Sequence, residues 1–206
     1  MAPFDNILDY LQTSATGIGG AMQGQLESFL NPTQQGGVAS IGMVPPAPTV
    51  PVQPSAVDLA TSFMMQKDVE GFSASPYSDY AQTSIGYGTK AQPGDKQIGK
   101  KEAEVRLRDH INAEVLPAIQ TLVDPQVWAS LPPRRKAALT SLIYNVGSGA
   151  FARSEALKAL NSGDFARFEK EAFDPKKGFV NVTEKGKRKV SKGLQERRRK
   201  ELNLWK

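Results

Sequence analysis

The stretch that decides the fold reads Glu70-Gly71-Phe72-Ser73-Ala74-Ser75-Pro76-Tyr77-Ser78-Asp79-Tyr80-Ala81-Gln82-Thr83-Ser84-Ile85-Gly86-Tyr87-Gly88. From Pro76 to Gly88 it sets Tyr77, Tyr80, Thr83, Ile85 and Tyr87 among turn formers, with glycines at 86 and 88, and this predicts short strands joined by turns. Two carboxylates, Glu70 and Asp79, stand nine positions apart, and the Ser84 hydroxyl immediately precedes the Ile-Gly-Tyr-Gly run. Folded back on itself, the segment could bring all three to one cleft. Hydrolysis of a glycosidic bond needs such a pair: a carboxylic acid to protonate the leaving oxygen, and a carboxylate to activate water or offset positive charge at the sugar carbon. Taken alone, two acidic residues at this spacing more often mark a solvated surface.

Upstream, Val57, Leu59, Phe63 and Met64 form an apolar stripe behind Ser55 and Asp58, which resemble a capping box. A helix therefore leads toward Glu70 and leaves it at or just beyond the helix end. Before Ser55 the texture changes. Five prolines between Val44 and Pro54 favour an extended linker, and Phe4, Ile7, Leu8, Leu11, Ile18, Met22, Leu26 and Leu30 trace two weak amphipathic helices interrupted by glycines. The chain divides on this reading into an N-terminal arm, residues 1–54, and a folded domain, residues 55–206.

Downstream the pattern is helical. Ala103, Leu107, Ile111 and Val115 recur at four-residue spacing, and Pro117 is expected to bend or end that helix. Pro132 and Pro133 open another, Arg134 to Val146, with a broad apolar face stopped at Gly147. Shorter helices are predicted over Glu155–Leu160, Asp164–Phe173 and Leu194–Trp205. The sum is an α+β domain, mainly helical, with a small sheet near its start.

Composition narrows the chemistry further. The 206 residues include no cysteine, which excludes disulfides, thiolate metal sites and a cysteine nucleophile. No metal-ligand spacing appears, and no cofactor is expected. The uncharged run between Glu27 and Asp58 is too rich in Gln, Gly, Pro and Ser to span a bilayer, and the first residues lack the basic and apolar regions of a secretory signal. The net charge of +5 is unevenly spread: residues 1–56 carry −3, residues 174–206 carry +8. The basic Lys185–Lys189 run (KGKRK) has no interleaved aromatics, so it reads as a solvated loop facing an anionic envelope and not as a nucleic-acid site. His110, the single histidine, lies among Arg108, Asp109 and Asn112 and reads as an exposed bystander. Tyr144, Phe151, Phe165, Phe168 and Phe173 read as core.

The quoted stretch resembles the signature of the bacteriophage lysozymes, glycoside hydrolase family 24: Glu, eight residues, Asp or Cys, about five residues, Thr, then an Ile-Gly-x-Gly strand. The likeness continues in Ala137–Phe151 (AALTSLIYNVGSGAF), in Glu155–Phe173 (EALKALNSGDFARFEKEAF), and in Gly193, Leu194, Arg197, Arg198, Glu201 and Leu204 of the closing helix. Two departures stand out. Only four residues separate Asp79 from Ser84, which is Ser and not Thr, and Thr89 stands where members often have His.

The resemblance implies a lysozyme-like fold and a muramidase that cuts the β-1,4 bond between N-acetylmuramic acid and N-acetylglucosamine in peptidoglycan. It implies Glu70 as general acid, its pKa raised against apolar neighbours such as Phe72 and Ile85. Asp79 becomes the ionised partner, Ser84 a helper that places water, and Asn145 a substrate-binding amide, although an Asn there also serves a helix end. Inverting and retaining outcomes divide on a carboxylate separation of about 6.5–9.5 Å against about 5–5.5 Å. The expected partners are peptidoglycan glycan strands and, through residues 1–54, tail or internal proteins of a phage particle. The expected place of action is the host periplasm, reached from the virion after synthesis in the host cytoplasm. A host-lysis endolysin and a structural virion protein with a weakened lysozyme fold are the alternatives.

Overall fold

The computed structural model describes residues 53–79, 82–184 and 186–206, and for Asp79 and Glu184 the backbone alone. The weak helices and nearly all of the proline-rich linker read from the sequence lie outside these residues. Helix α1 (Ala56–Met64) begins with the expected capping box: Asp58 N donates to Ser55 Oγ at 3.1 Å, and Ser55 N donates to Asp58 Oδ2 at 3.2 Å. Each satisfies a donor that the first helical turn leaves orphaned. The helix buries Ala60, Thr61, Phe63 and Met64. It stops sooner than the stripe implies, so Glu70 sits in a turn six positions past the last helical residue.

A three-stranded antiparallel sheet follows, β1 (Ser73–Asp79), β2 (Gln82–Gly86) and β3 (Thr89–Lys90), in the order β1-β2-β3. Tyr77 opposes Ser84, Ser78 opposes Thr83 and Asp79 opposes Gln82. The register slips between Ser73 and Tyr77, where Pro76 has no N–H to give to the ladder. Gly86 is needed where β2 meets the next helix. Its φ is 68°, and a Cβ there would lie 2.8 Å from Ala103 Cβ.

Helix α2 (Lys100–His110) does not end at Pro117. It widens into a π-helical turn, Ile111–Val115, and resumes as α3 (Leu116–Leu122). Proline lacks the N–H for the i−4 bond and its ring crowds that carbonyl, and one wider turn relieves both while Ile111, Val115 and Ile119 stay buried. A short helix not foreseen, α4 (Pro125–Ser130), is started by Asp124, whose Oδ1 accepts from the N–H groups of Gln126 and Val127.

Helix α5 (Pro133–Val146) is the centre of the domain, with Ala137 through Ile143 buried. Gly147, at φ 80°, ends it as expected. Then come α6 (Ser148–Ala152), α7 (Glu155–Asn161), α8 (Phe165–Phe173) and α9 (Lys192–Trp205). The basic run between α8 and α9 is not a loop. Asn181–Glu184 (β4) and Lys187–Val190 (β5) pair as a second antiparallel sheet. Sequence reading missed it because every residue of β5 is exposed, so no alternation of buried positions marks the strand.

Two apolar clusters meet along α5. One gathers Leu139, Leu142, Phe151, Phe168, Phe173 and Trp205; the other joins Ala60, Met64, Ile85, Leu107 and Ile111 around Ala137. The mainly helical α+β expectation holds. No helix among the described residues is long and apolar enough to cross a membrane.

Candidate active site

A cleft of about 900 Å³ opens between the first sheet, the C-terminal end of α5 and the second sheet, a volume at the upper end for small-ligand sites. Glu70, Tyr77 and Gln82 line it from one side, Asn145 and Val146 from the end of α5, and Phe179, Asn181 and Arg188 from the other. Glu70 and Asn145 therefore share one cavity. Asp79 ends β1 opposite Gln82.

Ser84 is fully buried and does not line the cleft. Its Oγ accepts from Gln82 Nε2 at 3.2 Å, so Gln82 is the residue of that strand that reaches the cavity. Thr89, where a histidine was noted as missing, donates through Oγ1 to Ile85 O at 3.1 Å and secures the β2–β3 turn.

Glu70 has a neighbour that the sequence reading did not assign. Its Oε1 accepts from Arg197 Nη1, while its side chain is 16% exposed and that of Arg197 is 4% exposed. The expected setting was apolar; the structure adds a charge. Arg197 also donates through Nε to Glu201 Oε1 at 3.0 Å and through Nη2 to Ser141 Oγ at 3.2 Å. Ser141 Oγ in turn donates to Glu201 Oε1 at 2.7 Å. Arg198 donates through Nη2 to Asn145 Oδ1 at 2.8 Å, and its Nε lies 2.8 Å from Glu201 Oε2 without the angles of a hydrogen bond.

The cluster is thus two cations and two anions, Arg197, Arg198, Glu201 and Glu70, of which Glu70 and Arg197 line the cleft. Burial works to lower the Arg197 pKa, but Glu70 and Glu201 outweigh it and the net shift is upward. Burial dominates at Arg198 and pushes it down to about 10, with Glu201 working against it. The spacing Arg197, Arg198, Glu201 on one helix puts i,i+3 and i,i+4 partners together and was the available sequence signal.

The backbone leaves room for the carboxylate. Gly88 has φ 82°, and a Cβ there would lie 3.3 Å from both Glu70 Oε2 and Tyr144 Oη. Tyr144, expected in the core, is half-buried and donates through Oη to Tyr87 O at 2.7 Å, which ties α5 to the same turn. His110, expected to be exposed, is half-buried and does not line the cleft. It packs edge-on against Tyr144 at a ring separation of 5.3 Å, and its Nδ1 lies 3.2 Å from Glu114 Oε1. Asn145, through its carbonyl oxygen, is committed to Arg198, so its amide orientation at the cleft is fixed by a buried charge and not by the end of its own helix.

Residues 67–201 match the family described as phage lysozyme. The chain belongs to the phage lysozyme family. An endolysin of Acyrthosiphon pisum secondary endosymbiont phage 1 is 32% identical over 142 residues, which cover 68% of this chain and 90% of that protein. A SAR-endolysin of Escherichia phage Mu is 31% identical over 115 residues, 52% of this chain and 63% of its own length. Among solved structures, the muramidase domain of SpmX from Asticaccaulis excentricus is similar with a TM-score of 0.58 and 25% identity over 73% of this chain and 93% of that one. A P22 lysozyme variant is similar with a TM-score of 0.55 and 25% identity, covering 74% and 99%. As a member of the family, the chain is a lysozyme-type glycosidase, a peptidoglycan hydrolase with the fold expected from its sequence.

Proposed function

We propose that the enzyme cleaves the β-1,4 bond between N-acetylmuramic acid and N-acetylglucosamine, with Glu70 as general acid. The observation that carries this reading is the position of Glu70, the one carboxylate of the buried four-charge cluster that opens onto a cleft large enough for several sugar rings. Proton transfer needs a group held within hydrogen-bond reach of the leaving oxygen, and Arg197 restricts where the carboxyl can sit. Asp79 supplies the ionised carboxylate that orients water or supports the oxocarbenium-like transition state. Ser84 acts with Gln82, whose amide it accepts from, to place that water. Asn145 presents its amide N–H groups to the sugar chain, since its oxygen is already engaged by Arg198.

Clearing of permeabilised Gram-negative cells tests the reading. The wild-type chain should reduce turbidity, and Glu70→Gln should not. Failure of well-folded wild type to clear cells or cut purified peptidoglycan overturns it. Product masses separate reducing-ended hydrolysis from anhydro sugars.

The place of action proposed is the virion, with residues 1–54 addressing the enzyme to tail or internal particle proteins so that it opens the wall from the periplasmic side at entry. The motive is the length and composition of this arm, weakly amphipathic and then proline-rich, of a kind that orders on a partner. A second reading, release at host lysis, is favoured by the endolysin names of the relatives. Presence of the chain in purified particles decides between them.

A further inference from the structure

Glu70 presents its two oxygens to two different walls. Oε1 accepts from Arg197 Nη1 on α9, and Oε2 faces the β2–β3 turn, where a Cβ on Gly88 would lie 3.3 Å from it. An oxygen that already accepts from a guanidinium is the poorer seat for an acid proton, so Oε2 is the one from which a proton leaves toward a sugar. Arg197 holds the far oxygen. The turn sets where the near one can sit.

That turn is held at its ends and at its middle. Gly86 lies against Ala103 of α2, and Thr89 Oγ1 donates to Ile85 O at 3.1 Å, which fixes the two ends. Tyr144 of α5 reaches the middle. Its Oη donates to Tyr87 O at 2.7 Å, directly before Gly88, and would itself lie 3.3 Å from a Cβ on Gly88. Tyr144 Oη and Glu70 Oε2 thus close on the same point beside one glycine. The phenol ring has little play, because it packs against both apolar clusters and stands edge-on to His110 at 5.3 Å. Tyr144 does not line the cleft, so its effect on the chemistry passes through the turn.

We infer that Tyr144 is a positioning residue for the acid: by holding the Tyr87 carbonyl, its hydroxyl sets the Gly88 backbone against Glu70 Oε2. This rests on the reading of Glu70 as general acid and adds a residue that acts through it. Arg197 and Tyr144 then orient one carboxyl from its two oxygens, one through a charge and the other through the backbone.

The test measures kcat and KM of the full chain on soluble peptidoglycan oligomers, at a temperature well below every melting point. Tyr144→Phe removes the hydroxyl and keeps the ring against His110. Its kcat should fall about five- to twentyfold, less than the about 10²-fold that a misplacement of about 1 Å can cost, with KM little changed. Thr140→Val is the control. It removes a hydroxyl bond to a carbonyl, Lys136 O at 2.8 Å, one turn earlier on α5, and should leave kcat near the wild-type value. Tyr144→Phe combined with Arg197→Lys should lose clearly less than the product of the two single losses, because both act on the placement of one group.

An unchanged kcat in Tyr144→Phe overturns the proposal and leaves Glu70 as the acid. So does a loss confined to KM, a loss that Thr140→Val matches, or a loss that multiplies in full with that of Arg197→Lys. A Glu70→Gln enzyme as fast as wild type overturns the acid reading, and the role of Tyr144 with it.

Discussion

Arg197 donates to Glu70 across 127 positions of sequence, and the same guanidinium donates through Nε to Glu201 at 3.0 Å. One planar cation therefore couples a buried carboxylate on α9 to the carboxylate at the mouth of the cleft. Replacing Arg197 with Lys keeps the charge but not the fork, because an ammonium cannot present two parallel N–H groups in fixed directions. Arg197→Lys is expected to lower kcat at least tenfold with a much smaller change in KM, measured on soluble peptidoglycan oligomers.

Glu201→Gln is expected to cost far more stability than Glu70→Gln. Removing one partner of a buried ion pair leaves the other uncompensated, at about 3–5 kcal/mol, and Glu201 is fully buried between Arg197 and Arg198. Glu70 is partly open to water, so its loss is better screened. Urea unfolding of the two variants checks the order. Glu70→Gln should nevertheless lose about 10²–10⁴-fold in turnover, the range for a general acid.

Gly88→Ala is expected to impair both fold and turnover. A left-handed φ costs a non-glycine residue about 1 kcal/mol, and the new methyl would press on Glu70 Oε2 and Tyr144 Oη at 3.3 Å. The diagnostic result is a fall in kcat larger than the loss in melting temperature accounts for. Unchanged kcat would show that the Glu70 carboxyl does not need this approach.

Asp95 should contribute to resistance against acid. Arg106, by hydrogen bonds at 2.6 and 2.9 Å, and then the Gln92 N–H hold its carboxyl down to about 2 from an ordinary 3.8. A folded pKa below the unfolded one gives stability that is fully present above the unfolded value and is lost as pH falls through the folded one. The melting temperature of wild type should therefore drop between about pH 4 and pH 2, and Asp95→Asn should flatten that part of the curve. An identical acid limb in the variant would remove Asp95 from the account.

A chain shortened to begin at Ser55 keeps the capping box of α1 and every candidate site residue. It should melt close to the full chain and cut peptidoglycan at a similar rate. Replacing the full chain with it during infection should deplete the enzyme from purified particles. Normal packaging of the active short form would remove the addressing role proposed for residues 1–54.

Local features were legible wherever one residue type dictates the backbone. Ser55 and Asp58 announced the start of α1, Gly147 the end of α5, and the Ile85-Gly86-Tyr87-Gly88 run the turn of the first sheet. Pro117 did not end its helix, because a proline's cost inside a helix depends on whether a neighbouring turn can widen, and that is settled by what the helix buries. The β4–β5 hairpin was hidden because its outer strand is exposed throughout and leaves no apolar period to read.

The sequence by itself determined the family and the mainly helical α+β class, and it singled out Glu70 and Asp79 as candidate carboxylates, since these follow from short strings whose spacing is set within one or two elements. The tertiary structure alone decided the company that Glu70 keeps. Its partner lies on the last helix, and its room comes from a glycine on the first sheet. Such long-range pairings depend on how α5 brings two apolar clusters together, which no local pattern encodes. The same packing buried Ser84 behind Gln82 and turned Asn145 toward Arg198.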